Sequence, residues 1–103
     1  MRILITGSSG FIGSQFLEYM TKKRHEVYGI SRKPTNEKNV FEFSLNQIKK
    51  VEECFKKNQF DVVVHLASVV PIDHQIEPKN IFQNFQNTLN LLECCRKFNV
   101  KKF

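Results

Sequence analysis

Apolar positions recur along this chain with two periods, and the two alternate. Ile3-Leu4-Ile5 is a continuous apolar run with two β-branched residues, the composition of a strand buried on both faces. From Phe11 to about Lys23 the period becomes helical. Ile12, Phe16, Leu17 and Met20 fall on one stripe, with Gln15 and Glu18 outside it. Arg24-His25-Glu26 turns the chain into a second strand, Val27 to Ile30. A polar loop, Lys33 to Lys38, leads to a short third strand, Val40 to Phe43. The pattern then predicts a helix over about Asn46 to Lys57, with Ile48, Val51 and Phe55 on one face. Phe60 to Ala67 is the strongest strand signal. A loop with Pro71 and Pro78 follows, then a helix from about Asn80 to Phe98. Ile81, Phe85, Thr88, Leu89, Leu92 and Cys95 form its expected buried stripe, and Val100 to Phe103 opens a further strand.

Strands alternating with helices imply an α/β fold with parallel pairing and right-handed crossovers. The expected architecture is a Rossmann-type doubly wound sheet, truncated, with strand order 3-2-1-4. Residues 1–103 form one domain, with no internal repeat and no linker. The switch point lies between the first and fourth strands, where ligands sit outside the carboxyl ends. Those ends are Thr6-Gly7 and Ala67-Ser68. In this order the apolar fourth strand stands at an edge. Such edges aggregate or pair with other chains, so either poor solubility alone or a partner chain at that edge is expected.

The 103 residues carry 16 basic and 10 acidic side chains, a net charge of +6. The lysines come in scattered pairs and not in one stripe, which argues against a nucleic-acid surface. The excess serves solubility or draws in an anionic ligand. Three cysteines, Cys54, Cys94 and Cys95, include no Cys-x-x-Cys. That pattern fits reduced structural thiols better than a disulfide framework or a zinc site. Arg96 and Lys97 beside Cys94 and Cys95 are the setting that lowers a thiol pKa, although burial is the stronger expectation for Cys95. No run approaches the ~20 apolar residues of a membrane span, and the N-terminus lacks a signal-peptide layout. The expected location is the cytoplasm.

The chemistry concentrates where the first strand meets the first helix. Gly7, Gly10 and Gly13 stand at three-residue spacing between an apolar strand and an amphipathic helix. Gly7 permits the tight turn, Gly10 lets backbone amides approach a phosphate, and Gly13 lets the helix pack close to the sheet. The helix N-terminus adds partial positive charge. Gly7, Ser9, Gly10, Phe11, Ile12 and Gly13 are therefore expected to hold the pyrophosphate of a dinucleotide, with Leu66, Ala67 and Ser68 facing it from the fourth strand. An acidic residue about 20 positions beyond the loop would grip the ribose of NAD, whereas an Arg there accommodates the 2′-phosphate of NADP. Ser31, Arg32 and Lys33 occupy that position. NADP is the favoured cofactor, with NAD the alternative.

These segments resemble a known family. Thr6-Gly7-Ser8-Ser9-Gly10-Phe11-Ile12-Gly13 is similar to the TGxxGFIG fingerprint of the extended short-chain dehydrogenase/reductases, the NAD-dependent epimerase/dehydratases of nucleotide sugars. Asp61 to Ser68 resembles the family's DVVxHLAA strand. Asn84 to Glu93 resembles its NVxGTxNLLE helix, and Val100 to Phe103 its VKRF. The resemblance runs through the whole chain and covers roughly the family's N-terminal third. It implies that Asn84 faces the cofactor region. Two departures matter. The family often has Gly where Asn87 stands, and it has Asp, which meets the adenine amino group, where this chain has Ser44. A hydroxyl is a weaker acceptor than a carboxylate.

The resemblance also implies chemistry by a Tyr-x-x-x-Lys pair and a Ser or Thr beyond the fifth strand. The Tyr-x-x-x-Lys spelled here, Tyr19 to Lys23, lies at the wrong end of the first helix for hydrogen-bond reach. No catalytic residue is therefore expected in this chain, which is read as inactive alone. A non-catalytic module that senses NAD(P) or binds a partner is the alternative. His65 reads as a satisfied core histidine. His25 and His74 have no partners at metal-ligand spacing.

Overall fold

The computed structural model describes residues 1–70, 75 and 77–103; the expectations for Pro71 and His74 lie outside the described residues. Four strands, β1 (Arg2–Thr6), β2 (Glu26–Ser31), β3 (Val40–Glu42) and β4 (Val62–His65), alternate with three helices, α1 (Phe11–Lys22), α2 (Ile48–Lys57) and α3 (Pro78–Lys97). The sheet order is β3-β2-β1-β4 and every pairing is parallel. This is the expected Rossmann-type topology. Ile5 stands opposite Gly29 on one side and Val64 on the other, so β1 is central.

The two faces of the sheet are filled unequally. On the α1 side, Ile3, Ile5 and Val27 meet Phe16, Leu17 and Met20. On the other side, α2 and α3 close a larger core built on Leu4, Ile30, Val51, Phe55, Val63 and Leu91. Alternation along β1 produces both: Ile3 and Ile5 face one layer and Leu4 the other. α3 begins at Pro78, two residues earlier than the apolar period indicates. A proline suits the first helical turn, where its missing N–H is no loss.

Two helix faces differ from expectation. Ile12 is 67% exposed and does not join the α1 stripe. Gly13 is the residue of the first turn turned toward the sheet. At 100° per residue, Ile12 is then swung well off the axis shared by Phe16, Leu17 and Met20. α3 is the larger correction. Its buried residues are Asn87, Leu91, Cys94 and Cys95, whereas Ile81, Phe85, Leu89 and Leu92 are exposed. The helix carries two apolar faces, roughly 130° apart, and the sheet takes the one whose first turns are polar.

The edge at β4 is not bare. Val62 forms a parallel bridge with Lys102, and the Val63 N–H donates to the Lys102 carbonyl at 2.9 Å. The Val100–Phe103 segment thus begins a fifth position in the sheet, and it takes part of the edge expected to await a partner chain. No helix among the described residues is long and apolar enough to cross a membrane.

Candidate functional site

At the carboxyl end of β1 the chain turns through Gly7, whose φ of +71° lies in the left-handed region. A Cβ there would stand 2.8 Å from the Ala67 nitrogen, so β1 and the exit of β4 approach at backbone distance. A Cβ on Gly13 would fall on the Gly7 carbonyl. α1 is therefore drawn against the turn as closely as two main chains allow. Gly10 caps α1 without a side-chain bond, and no acidic residue occupies the first turn. The amides of Phe11, Ile12 and Gly13 are left without intrahelical partners, at the positive end of the helix dipole. Gly10 itself has a different task. Its N–H donates to the Gly7 carbonyl at 3.0 Å, which closes the turn.

Two supports of this loop escape the glycine pattern. The Gly7 N–H donates to the Ile30 carbonyl at 3.1 Å, which ties the loop to β2. Ser8 is buried over Gly29, where a Cβ would lie 2.5 Å from the Ser8 hydroxyl oxygen. Gly29 is the missing side chain that lets the loop lie on β2. A glycine inside a strand run is the signal that could have revealed it.

The floor between β1 and β4 is a chain of hydrogen bonds with one consistent direction. The fully buried Thr6 hydroxyl accepts the N–H groups of Leu66 and Ala67, each at 3.2 Å. Its proton therefore goes to His65 Nδ1 at 2.6 Å. His65 Nε2 then donates to the Thr88 hydroxyl at 3.1 Å, and Thr88 donates to the Asn84 carbonyl at 2.9 Å. This order requires a neutral imidazole. Burial also holds the His65 pKa below its ordinary value.

These elements surround a cavity of about 310 Å³ at the switch point. Gly7, Ser9 and Gly10 line one end of it, and Leu66, Ala67 and Ser68 line the side toward β4. At the β2 end, the buried Ser31 hydroxyl donates to Ser9 Oγ at 2.9 Å and accepts the Lys33 N–H at 3.1 Å. Arg32 and Lys33 are exposed on the same wall. No carboxylate is bonded to either among the described residues. Ser44, which the resemblance put where the family's Asp stands, lines the cavity together with Phe43, Leu45 and Asn87, which the sequence did not place there.

Phe11, Ile12, Gly13 and Asn84 are not on the cavity wall. The first three shape the helix end beside it. The Asn84 carboxamide accepts the Val69 N–H at 2.7 Å and donates to Ser68 Oγ and the Val69 carbonyl, so it clamps the loop after β4. Tyr19 lies nine residues beyond Gly10, about 13 Å along the helix, and Lys23 Nζ sits over its ring. All three cysteines are buried, and burial pushes the thiol pKa of Cys54 up to about 12 and those of Cys94 and Cys95 to about 11. The neighbouring Lys97 does not reverse that shift at Cys94. No group of three His, Cys, Asp or Glu among the described residues is placed to hold a metal.

The model of the NAD dependent epimerase/dehydratase family matches residues 3–103. Protein CapI of Staphylococcus aureus is 32% identical over 98% of this chain and 36% of its own length. The dTDP-D-glucose 4,6-dehydratase of Dictyostelium discoideum is 32% identical over 99% of this chain and 27% of its own. Among solved structures, the UDP-glucose 4-epimerase of Thermus thermophilus in complex with NAD superposes with a TM-score of 0.86 at 29% identity. It covers 97% of this chain, which covers 35% of it. The chain thus spans about a third of the length of the proteins it matches.

Proposed function

Because the chain belongs to the NAD-dependent epimerase/dehydratase family, we propose that it is the NAD(P)-binding part of a nucleotide-sugar epimerase or dehydratase. The observation that carries this reading is the cradle at β1. Gly7 and Gly13 leave no room for a Cβ, and the uncapped N-terminus of α1 supplies unpartnered amides beside the cavity. A pyrophosphate fits that combination of close backbone approach and positive dipole. When bound, the dinucleotide would supply hydride transfer to and from a sugar carbon. This chain's share is to hold the phosphates at Gly7, Ser9 and Gly10, to fix the floor through Thr6 and His65, and to close the wall with Leu66 to Ser68. In this reading residues 1–103 contribute the cofactor cradle of the site.

NADP is the preferred cofactor in this reading. The ribose end offers Arg32 and Lys33 and no carboxylate among the described residues. A guanidinium pairs with a 2′-phosphate through charge-assisted bonds, whereas the Ser31 hydroxyl is already engaged with Ser9. Titration with NADPH and NADH, followed by nicotinamide fluorescence, tests both claims. Saturable binding with NADPH the tighter ligand is expected. No saturation by either at millimolar concentration overturns the binding reading. Tighter NADH binding overturns the preference.

A further inference from the structure

One hydrogen-bond chain reaches both the end of β1 and the loop after β4, through Thr6, His65, Thr88 and Asn84. Thr88 donates to the Asn84 carbonyl, so its oxygen accepts from His65 Nε2. The other ring nitrogen, Nδ1, then accepts the Thr6 hydroxyl at 2.6 Å. Each end of the chain holds residues of the cavity wall. Asn84 fixes Ser68 and Val69 through its carboxamide, and the Thr6 hydroxyl oxygen receives the amides of Leu66 and Ala67. Those two amides are not equivalent. The Leu66 N–H also reaches the Thr6 carbonyl at 3.2 Å, whereas the Ala67 N–H has no second acceptor among the described residues. Ala67 is also packed against the cradle, since its nitrogen stands 2.8 Å from where a Gly7 Cβ would lie.

A proton on Nδ1 therefore has one place to act. The ring would keep its bond to Thr88 and become a donor toward Thr6. The fully buried Thr6 hydroxyl oxygen has two lone pairs, and both are engaged. Nδ1–H would compete with the Ala67 N–H for one of them, and the Thr6 hydroxyl proton would lose its acceptor. Leu66 can fall back on the Thr6 carbonyl, but Ala67 cannot. A buried donor left unpaired is costly, so the backbone at Ala67 has to move, at the point where the wall meets the glycine turn. Among the described residues, no charged side chain contacts the ring. β1 brings Thr6 to it, α3 brings Thr88, and the segment after α3 brings the Phe103 ring at 6.1 Å. Lys101 and Lys102 are exposed and stand beside Asp61 and Val62, at the other end of β4. Burial alone favours the neutral imidazole. We propose that His65 is a positioning residue that ties cofactor binding to one proton: the cavity holds a dinucleotide while Nδ1 accepts the Thr6 hydroxyl, and releases it when Nδ1 is protonated. The assignment rests on the dinucleotide reading given above.

NMR of the histidine-labelled chain tests this, as a pH titration with and without saturating NADPH. The His65 signal is the one missing from His65→Gln. Binding and protonation are linked reciprocally, so NADPH is expected to lower the His65 pKa further. A bound phosphate acting through charge alone would raise it, so the sign separates the hydrogen-bond chain from simple electrostatics. Dissociation constants from nicotinamide fluorescence give the second readout. Wild-type binding should weaken roughly tenfold as pH falls through the measured His65 pKa. His65→Gln keeps a donor and an acceptor but does not titrate, so its affinity, whatever its level at neutral pH, should escape that fall. Both chains meet the same ligand, so the ratio of their constants removes the titration of the ligand's own 2′-phosphate. If His65→Gln melts early, the direction of the wild-type pKa change decides. A His65 pKa that rises or stays put with NADPH overturns the assignment and leaves the dinucleotide reading standing. So does a ring that stays neutral until the chain unfolds, or a ratio that is constant with pH. No saturable NADPH binding at any pH overturns the dinucleotide reading, and the assignment with it.

Discussion

The two ends of the cavity are built from different materials. At the glycine-loop end the wall is backbone, and its dimensions are set by side chains that are missing: Gly7 against Ala67, Gly13 against the Gly7 carbonyl, Gly29 beneath Ser8. Toward the exit of β3 the wall is side chains, Phe43, Ser44 and Leu45, and α3 adds Asn87. Main chain in contact with main chain cannot yield to an added atom. Side chains can turn aside. Shape is therefore stringent at one end and adjustable at the other.

The largest effect should separate the ends most clearly. Gly13→Ala sets a methyl on the Gly7 carbonyl, where only a backbone shift makes room. A loss of about 3 kcal/mol is expected by urea unfolding, together with loss of saturable NADPH binding. Ser44→Ala, at the side-chain end, should cost under about 0.5 kcal/mol. A Gly13→Ala chain as stable as the wild type would remove the distinction.

Gly29→Ala probes an intermediate case, because its obstacle is a side chain. The new methyl would meet the Ser8 hydroxymethyl group, and about 2 kcal/mol should be lost. Combining it with Ser8→Gly should return part of that loss. Additive effects in the double variant would show that Ser8 and Gly29 are not coupled.

The same contrast explains what the chain disclosed as a sequence. A missing side chain is visible in a string of letters, so Gly7, Gly10 and Gly13 read clearly between a strand and a helix, and the sheet order followed from alternation. Which face of a helix is buried is harder to read. On α3, Ile81, Phe85, Leu89 and Leu92 spell a strong stripe, yet the sheet takes the face with Asn87, Leu91 and Cys94. The polar residues on that face are polar because they floor and line a cavity, and periodicity counts them as solvent-facing. The same blindness hid the Thr6–His65–Thr88 chain, whose members are far apart in sequence and meet only at the switch point.

Arg32 sharpens the comparison between the ends, since it stands between them. Arg32→Glu replaces the cation facing the ribose with a carboxylate, which suits a 2′-hydroxyl and repels a 2′-phosphate. NADPH should weaken roughly 10-fold or more, and NADH should hold or tighten. The melting temperature should stay put, because Arg32 is exposed. An unchanged ratio of the two affinities would remove Arg32 from the ribose site.

The smallest effect is expected from pH, and it reports on the floor that both ends share. Burial lowers the His65 pKa from 6.5, so the folded chain favours neutral imidazole more than the unfolded chain does. Its contribution to stability is complete above pH 6.5 and is lost as pH falls through the lowered folded value. Geometry adds to this. The Thr6 hydroxyl already accepts from Leu66 and Ala67, so a proton on Nδ1 would face an oxygen with no lone pair left to receive it. Glu18, Glu53 and Glu93 are held below 4.5 by hydrogen bonds from Lys22, Lys57 and Arg96, and their contributions fade only at lower pH. Among the described residues, the interval from pH 6.5 down to about 5 therefore isolates His65. Thermal melts across it should show a gentle fall for the wild type and a flatter line for His65→Gln, which keeps a donor and an acceptor but does not titrate. Parallel lines for the two chains would mean that the hydrogen-bond chain tolerates a charged imidazole and that the floor is not what holds β1, β4 and α3 in register.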